Sequence, residues 1–189
     1  LGGIHFDYIR YHDIGWGMNP TGLKFFLNYA NGMPGLPGIK IQERPSFADF
    51  KRASITQFIK KASMRIKAYQ PKCIVSAAVK PNIYNARNTF GQEWDLWLTA
   101  GYIDWAVPMN YTGSNQLFDN NLKIISDNIP SKYIEQIIMG IGAYNQSSRL
   151  TGQKIYRVGK NNYGGISMFS YTVFKKNPAY AKQIIKYLR

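Results

Sequence analysis

A chain of 189 residues can bury a sizeable core, and its 45% hydrophobic and 18% charged residues are values of a folded globular protein, which excludes wholesale disorder. The formal net charge of +14 comes from cations spread along the chain without the spacing of a nucleic-acid motif, so we expect no nucleic-acid partner. One cysteine and two histidines exclude a disulfide framework and a Cys/His metal cluster, and no apolar run is long enough for a transmembrane segment.

Five apolar segments predict β-strands. Most are near-continuous apolar runs, which are typical of strands in a parallel sheet that is covered on both faces. The predicted strands are residues 3–10, 73–80, 103–111, 136–144 and 164–171.

Helical patterns alternate with these strands. The clearest begins at Ser46 and stops at Pro71, and the others are residues 92–100, 120–128, 147–159 and 178–188. This alternation predicts a parallel α/β fold in a single domain, residues 1–189. Residues 12–45 are rich in Gly and Pro and predict a long loop over the mouth of a site, where aromatic residues such as Trp16 could contact a sugar. A surface excursion is the alternative.

Asp7 ends the apolar run of the first predicted strand. A carboxylate there is costly to bury unless it is paired, is hydrogen-bonded or takes part in function. Catalytic residues of α/β barrels lie at the carboxyl ends of the strands. Arg10 could keep Asp7 ionised by charge pairing. His5 lies on the same side of the strand as Asp7, within reach of it or of a sugar hydroxyl, although a satisfied core histidine is the simpler interpretation.

A glycosidase usually needs two carboxyl groups. Of the ten carboxylates, four lie near the carboxyl ends of predicted strands: Asp7, Asp13, Glu93 and Asp119. Because acids at helix starts are ordinarily caps or dipole partners, Glu93 also has that structural explanation. We take Asp7 as the first catalytic candidate and Glu93 and Asp119 as candidates for the acid.

Four motifs in this order carry a family resemblance: residues 3–11 (GIHFDYIRY), 76–81 (SAAVKP), 91–94 (GQEW) and 107–112 (VPMNYT). The chain resembles the bacterial glycosyl-hydrolase-like family 10, TIM-barrel enzymes distantly akin to chitinase-like barrels. The resemblance implies a (β/α)8 barrel, with the five predicted strands being about strands four to eight. Five strands cannot close a barrel alone, so we expect either a fragment of a longer product or association of two chains.

The resemblance also implies function. It implies a hydrolase of glycosidic bonds in an oligo- or polysaccharide, including peptidoglycan glycan strands, working outside the cytoplasm of a bacterium without a cofactor. A muramic-acid polymer is anionic, which a basic protein could attract. The residues that it places at the substrate are Asp7, Arg10, Lys80, Asn82, Asn110, Tyr111, Tyr144 and Asn145, with Glu93 at a usually acidic position.

Two other functions stay open. A non-catalytic carbohydrate-binding barrel is favoured by the shortage of a convincing second carboxylate. A polyanion-binding surface protein would explain the net charge and predicts salt-sensitive binding.

Overall fold

The computed structural model describes residues 2–12, 19–32 and 46–188. Five parallel strands form one sheet, in which each strand pairs with the next along the chain. The strands are β1 Gly3–Phe6, β2 Ile74–Val79, β3 Trp105–Asn110, β4 Ile138–Gly142 and β5 Gly165–Phe169. All five predicted strands are therefore confirmed, each with tighter bounds.

Helices connect the strands. A 3-10 helix, Ser131–Gln136, leads into β4. The α-helices are α1 Pro20–Gly32, α2 Phe47–Tyr69, α3 Ile83–Phe90, α4 Trp94–Thr99, α5 Asn115–Asn128, α6 Ser148–Lys160, α7 Tyr171–Lys176 and α8 Pro178–Ile185. Among the described residues, none of these helices is long and apolar enough to cross a membrane.

Helix α2 shows how local sequence begins an element. Ser46 is its N-cap and accepts a hydrogen bond from the Asp49 amide, while the Asp49 side chain accepts one from the Ser46 amide. This reciprocal capping box satisfies two amides that the helix leaves free, and the Asp49 carboxylate also favours the helix dipole. Ile55 and Ile59 then bury one side of the helix against the sheet.

The two faces of the sheet differ. One packs under the helices, and its side chains, such as Val75, Ala106 and Met139, are fully buried. On the other face the register aligns His5 with Ser76 and Ser76 with Trp105, and it aligns Gly142 with Phe169. His5, Trp105 and Phe169 are exposed, so we call this the open face.

The predicted loop over residues 12–45 needs a correction, because Pro20–Gly32 form helix α1. Asn19 begins it by accepting a hydrogen bond from the Gly22 amide, and Phe26 packs against Phe47 and Phe50 of α2. Because the segment is rich in glycine and proline, the sequence predicted a loop rather than a helix with this apolar contact. Trp16 lies outside the described residues.

Candidate functional site on the open face

Parallel strands bring their carboxyl ends to one edge of the sheet. At this edge Asp7 follows β1, Lys80 follows β2, Tyr111 follows β3 and Tyr144 follows β4, while Phe169 is the last residue of β5. The predicted site residues Asp7, Lys80, Tyr111 and Tyr144 therefore share an edge, although they are far apart in sequence.

Three aromatic rings pack together there. Tyr111 and Phe169 are stacked, with centroids 5.4 Å apart and an interplanar angle of 14°. Tyr144 meets both rings edge-on, at 6.4 Å from Tyr111 and 5.9 Å from Phe169. We call these three residues the aromatic triangle. Tyr144 and Phe169 are about half exposed, so the triangle presents aromatic surface to solvent.

Glycines on β4 make room for Tyr111. A Cβ on Gly140 would lie 2.7 Å from the Pro108 carbonyl oxygen and 3.1 Å from the Tyr111 ring, and a Cβ on Gly142 would lie 3.1 Å from the Tyr111 Cβ. Only a strand without side chains at these two positions lets the ring lie across it. The Asn145 amide then donates a 2.6 Å hydrogen bond to the Tyr111 carbonyl oxygen, which joins the β3 and β4 loops.

Asp7 is exposed, and its Oδ1 accepts a 2.7 Å hydrogen bond from the Tyr8 amide. Tyr8 has a φ of 53°, a left-handed conformation that turns the chain immediately after the carboxylate. Burial raises the pKa of the Tyr111 hydroxyl, and the Asp7 carboxylate and then Tyr144 raise it further. Asp7 thus acts electrostatically on Tyr111, which stays a neutral hydrogen-bond donor at neutral pH.

Arg10 does not form the expected ion pair with Asp7 among the described residues. Its guanidinium lies 4.9 Å from the Tyr8 ring centroid and 5.7 Å from that of Phe90, and its buried Nε has no hydrogen-bond partner in the described part of the chain. Both rings are within cation–π distance of the guanidinium.

Gln92 organises the β1 and β2 ends, and sequence reasoning missed it. It is fully buried, its Oε1 accepts from the Lys80 amide, and its Nε2 donates to the carbonyls of Ile9 and Ala78. The Lys80 ammonium lies over the Phe90 ring at 4.3 Å. In the sequence Gln92 stands alone between a glycine and an acid, and no periodic pattern indicates that its side chain is buried.

Two further predicted binding residues serve local structure. Asn82 is the N-cap of α3 and accepts from the Asn85 amide. His5 lies on the open face, where its Nδ1 is 2.8 Å from the Ser76 hydroxyl, so it is an exposed polar residue rather than a core histidine.

The other predicted acids contact residues of the helices. Glu93 accepts from the Thr56 hydroxyl at 2.9 Å and lies 3.7 Å from the Arg52 Nε. Asp119, on α5, is paired with Arg157 of α6 at 3.0 Å. Each carboxylate therefore lies beside an arginine of a helix. Asp13 falls outside the described residues.

Asn110 also lies away from the open face, contrary to its expected contact with substrate. It shares the side of β3 that carries buried Ala106, its Nδ2 donates to the Phe118 carbonyl, and its Oδ1 accepts from Asn121. Strand alternation is the reason: Tyr111 and Asn110 are consecutive, so they leave the strand on opposite sides.

Lys154 is a second residue that sequence reasoning missed. It is fully buried, yet its ammonium donates to the Thr112 carbonyl and, at 2.5 Å, to Gln146 Oε1, and it lies over the Phe118 ring. Burial lowers the pKa of Lys154, as does neighbouring Arg157. These hydrogen bonds join the β3 and β4 loops beneath the aromatic triangle.

No group of three or more His, Cys, Asp or Glu side chains within residues 2–12, 19–32 and 46–188 is arranged to hold a metal ion. The side chains at this edge offer a carboxylate, an ammonium, aromatic faces and neutral hydrogen-bond donors. Such a set is suited to a sugar, whose hydroxyls need donors and acceptors and whose apolar face needs a ring.

Comparison with known proteins shows the family of this chain. Residues 1–162 match the sequence model of the family described as Glycosyl hydrolase-like 10, so the chain belongs to this family. The expected resemblance is confirmed.

One solved structure that it resembles is the PgaB (BpsB) glycoside hydrolase domain from Bordetella bronchiseptica, with a TM-score of 0.71 and 14% sequence identity. The match covers 100% of this chain and 57% of that domain's chain, so the chain spans a little over half of its length. A comparison with curated protein sequences returns no match. The structural likeness confirms the α/β class, while the numbering of the strands as four to eight of a barrel stays a prediction.

Proposed function

We propose that this protein is a carbohydrate-active enzyme that hydrolyses O-glycosidic bonds, with its substrate held at the carboxyl edge of the open face. The observation that carries the proposal is the aromatic triangle of Tyr111, Tyr144 and Phe169 beside the Asp7 carboxylate. Its family and its fold similarity to a glycoside hydrolase domain support the same class of reaction.

In this proposal the exposed faces of Tyr144 and Phe169 bind the apolar face of a sugar ring. The Tyr111 hydroxyl, kept protonated by burial and by Asp7, donates a hydrogen bond to a sugar oxygen. Lys80 and Asn145 supply further donors at the same edge. Binding a ring here would bring its anomeric carbon toward the carboxylate of Asp7.

Asp7 is proposed as the nucleophile or as the stabiliser of the developing oxocarbenium ion. Its Oδ1 accepts a hydrogen bond from the Tyr8 amide, which orients the carboxylate. A second carboxyl group must protonate the leaving oxygen, and its distance from Asp7 would decide the outcome: about 5 Å for retention and roughly 6.5 to 9.5 Å for inversion. Glu93 and Asp119 are engaged with Arg52 and Arg157, so we do not assign either as that acid.

Peptidoglycan glycan strands are our proposed substrate, and the space outside the cytoplasm is our proposed location. The net charge of +14 supports an anionic glycan through long-range attraction.

We also propose that the five-stranded sheet functions as part of a barrel. Its support is that the open face carries exposed apolar side chains, whereas parallel sheets are ordinarily covered on both faces.

The test is to incubate the protein with peptidoglycan glycan strands and with chitin oligomers and to follow new reducing ends by mass spectrometry. Release of shorter glycans from either polymer is the expected result. Binding of glycans without any cleavage would instead support a non-catalytic carbohydrate-binding barrel, which is favoured by one observation: Glu93 and Asp119, the two other acid candidates, each lie beside an arginine.

A further inference from the structure

The charged side chains after Glu135 are all basic. No Asp or Glu follows Glu135, whereas nine of the 24 Lys and Arg do. Two of those nine are engaged elsewhere, because Lys154 is buried and Arg157 is paired with Asp119. The remaining cations therefore lie in a part of the chain that offers them no carboxylate side chain.

Four of these cations lie on or next to helices α7 and α8. Lys175 and Lys176 are in the last turn of α7, Lys182 is on α8, and Lys186 is the C-cap residue of α8, all four exposed. Because Lys186 keeps a right-handed helical conformation and side chains at i and i+4 share a face of a helix, Lys182 and Lys186 point to the same side.

Two exposed aliphatic side chains flank Lys186 in the sequence. Tyr180 and Ile184 of α8 are buried, and Tyr180 reaches the Thr151 hydroxyl of α6, so the inner face of α8 is already occupied. Ile185 and Leu188 are nevertheless 52% and 55% exposed. We call this region the α7–α8 basic surface, formed by Lys175, Lys176, Lys182, Ile185, Lys186 and Leu188.

We propose that the α7–α8 basic surface docks on an anionic lipid bilayer. Lysines mixed with exposed aliphatic residues on a helix are typical of segments that lie in the membrane interface, where the cations meet anionic headgroups and the aliphatic groups enter the acyl boundary. A soluble polyanion could bind the lysines, but it provides no apolar environment in which Ile185 and Leu188 could be buried. The aliphatic pair therefore favours lipid over a nucleic acid or an acidic polysaccharide.

The test is co-sedimentation of the full chain with vesicles of phosphatidylcholine alone or mixed with phosphatidylglycerol. Binding is expected only to the mixed vesicles and is expected to weaken with added salt. Replacing Lys175, Lys176, Lys182 and Lys186 by Gln should weaken it about fivefold per charge. The matched control replaces four exposed lysines elsewhere by Gln: Lys24, Lys61, Lys72 and Lys132. Equal loss in both variants would overturn the proposal, because net charge alone would then explain binding.

A second variant separates lipid from other polyanions. Ile185→Ser combined with Leu188→Ser keeps every charge, so it should bind dextran sulfate as the parent does yet bind the mixed vesicles more weakly. Both residues are exposed, and an unchanged melting temperature would show that the fold is intact. Two results would overturn the proposal and assign the surface to a soluble polyanion. One is that this variant binds the vesicles as the parent does, and the other is that the parent binds dextran sulfate but not vesicles.

Discussion

The Tyr111 ring stacks on the Phe169 ring at 5.4 Å, although the two residues belong to strands that are separated in the sheet by β4. The contact passes over β4 because Gly140 and Gly142 have no side chains there. It joins the ends of three strands into one aromatic surface.

Phe169→Ala should weaken glycan binding about three- to tenfold, since it removes one wall of the aromatic triangle and the stacking partner of Tyr111. Phe169 is about half exposed, so the melting temperature should change little. Calorimetric titration with an oligosaccharide measures the affinity. Tyr156→Ala, an exposed aromatic residue on α6, is the control and should bind normally. A loss of the same size in that control would argue against the triangle as the binding surface.

Gly140→Ala should destabilise the protein by about 1–3 kcal/mol and displace Tyr111, because its new Cβ meets the Pro108 carbonyl oxygen at 2.7 Å. Gly159→Ala is the matched control: a Cβ there meets nothing within 4 Å, so the better helix former should stabilise α6 by up to about 1 kcal/mol. Urea unfolding of both variants measures the two free energies. Equal stability of the variants would contradict the packing described for β4.

Gln92→Leu should cost roughly 3 kcal/mol or more, because it leaves the Lys80 amide and the carbonyls of Ile9 and Ala78 buried without their partner. Gln116→Leu, at an exposed position of α5, should change the free energy of unfolding by less than about 0.5 kcal/mol. Chemical denaturation compares the two. A small effect at Gln92 would mean that the β1 and β2 ends do not depend on its hydrogen bonds.

Asp7→Asn should lower the pKa of the Tyr111 hydroxyl, since the negative charge that opposes its ionisation is removed. Burial is the larger cause, so the pKa should stay above its ordinary value. An NMR titration of tyrosine labelled at the hydroxyl-bearing carbon, assigned with Tyr111→Phe, measures the shift. An unchanged pKa would show that Asp7 and Tyr111 are not neighbours in solution.

The sequence was sufficient to predict the strand order of the fold and the edge where Asp7, Lys80 and Tyr111 meet, because apolar runs and parallel topology determine both. It was insufficient for the aromatic triangle. Phe169 lies within a predicted strand with nothing in the sequence to mark it, and its contact with Tyr111 depends on strand register and on two glycines of a third strand.

The position of Asn110 could not be predicted from the sequence for a different reason. The family resemblance favoured a polar residue facing substrate, whereas the alternation of β3 turns Asn110 toward Phe118 and Asn121. Asp119 and Glu93 likewise follow strands in the sequence, but helix orientation carries them to Arg157 and Arg52. Which side a loop or helix presents depends on packing between distant segments, and a single sequence does not contain that information.

The role of Asp7 is tested most directly by the turnover number of Asp7→Asn on a glycan that the parent protein cleaves. Asp127→Asn is the control, because Asp127 is exposed on α5 and pairs only with Lys123 among the described residues. We predict that kcat falls about 100-fold or more in Asp7→Asn, with glycan affinity largely retained, and is unchanged in Asp127→Asn. Parent-like turnover by Asp7→Asn would contradict the proposed catalytic role of this carboxylate.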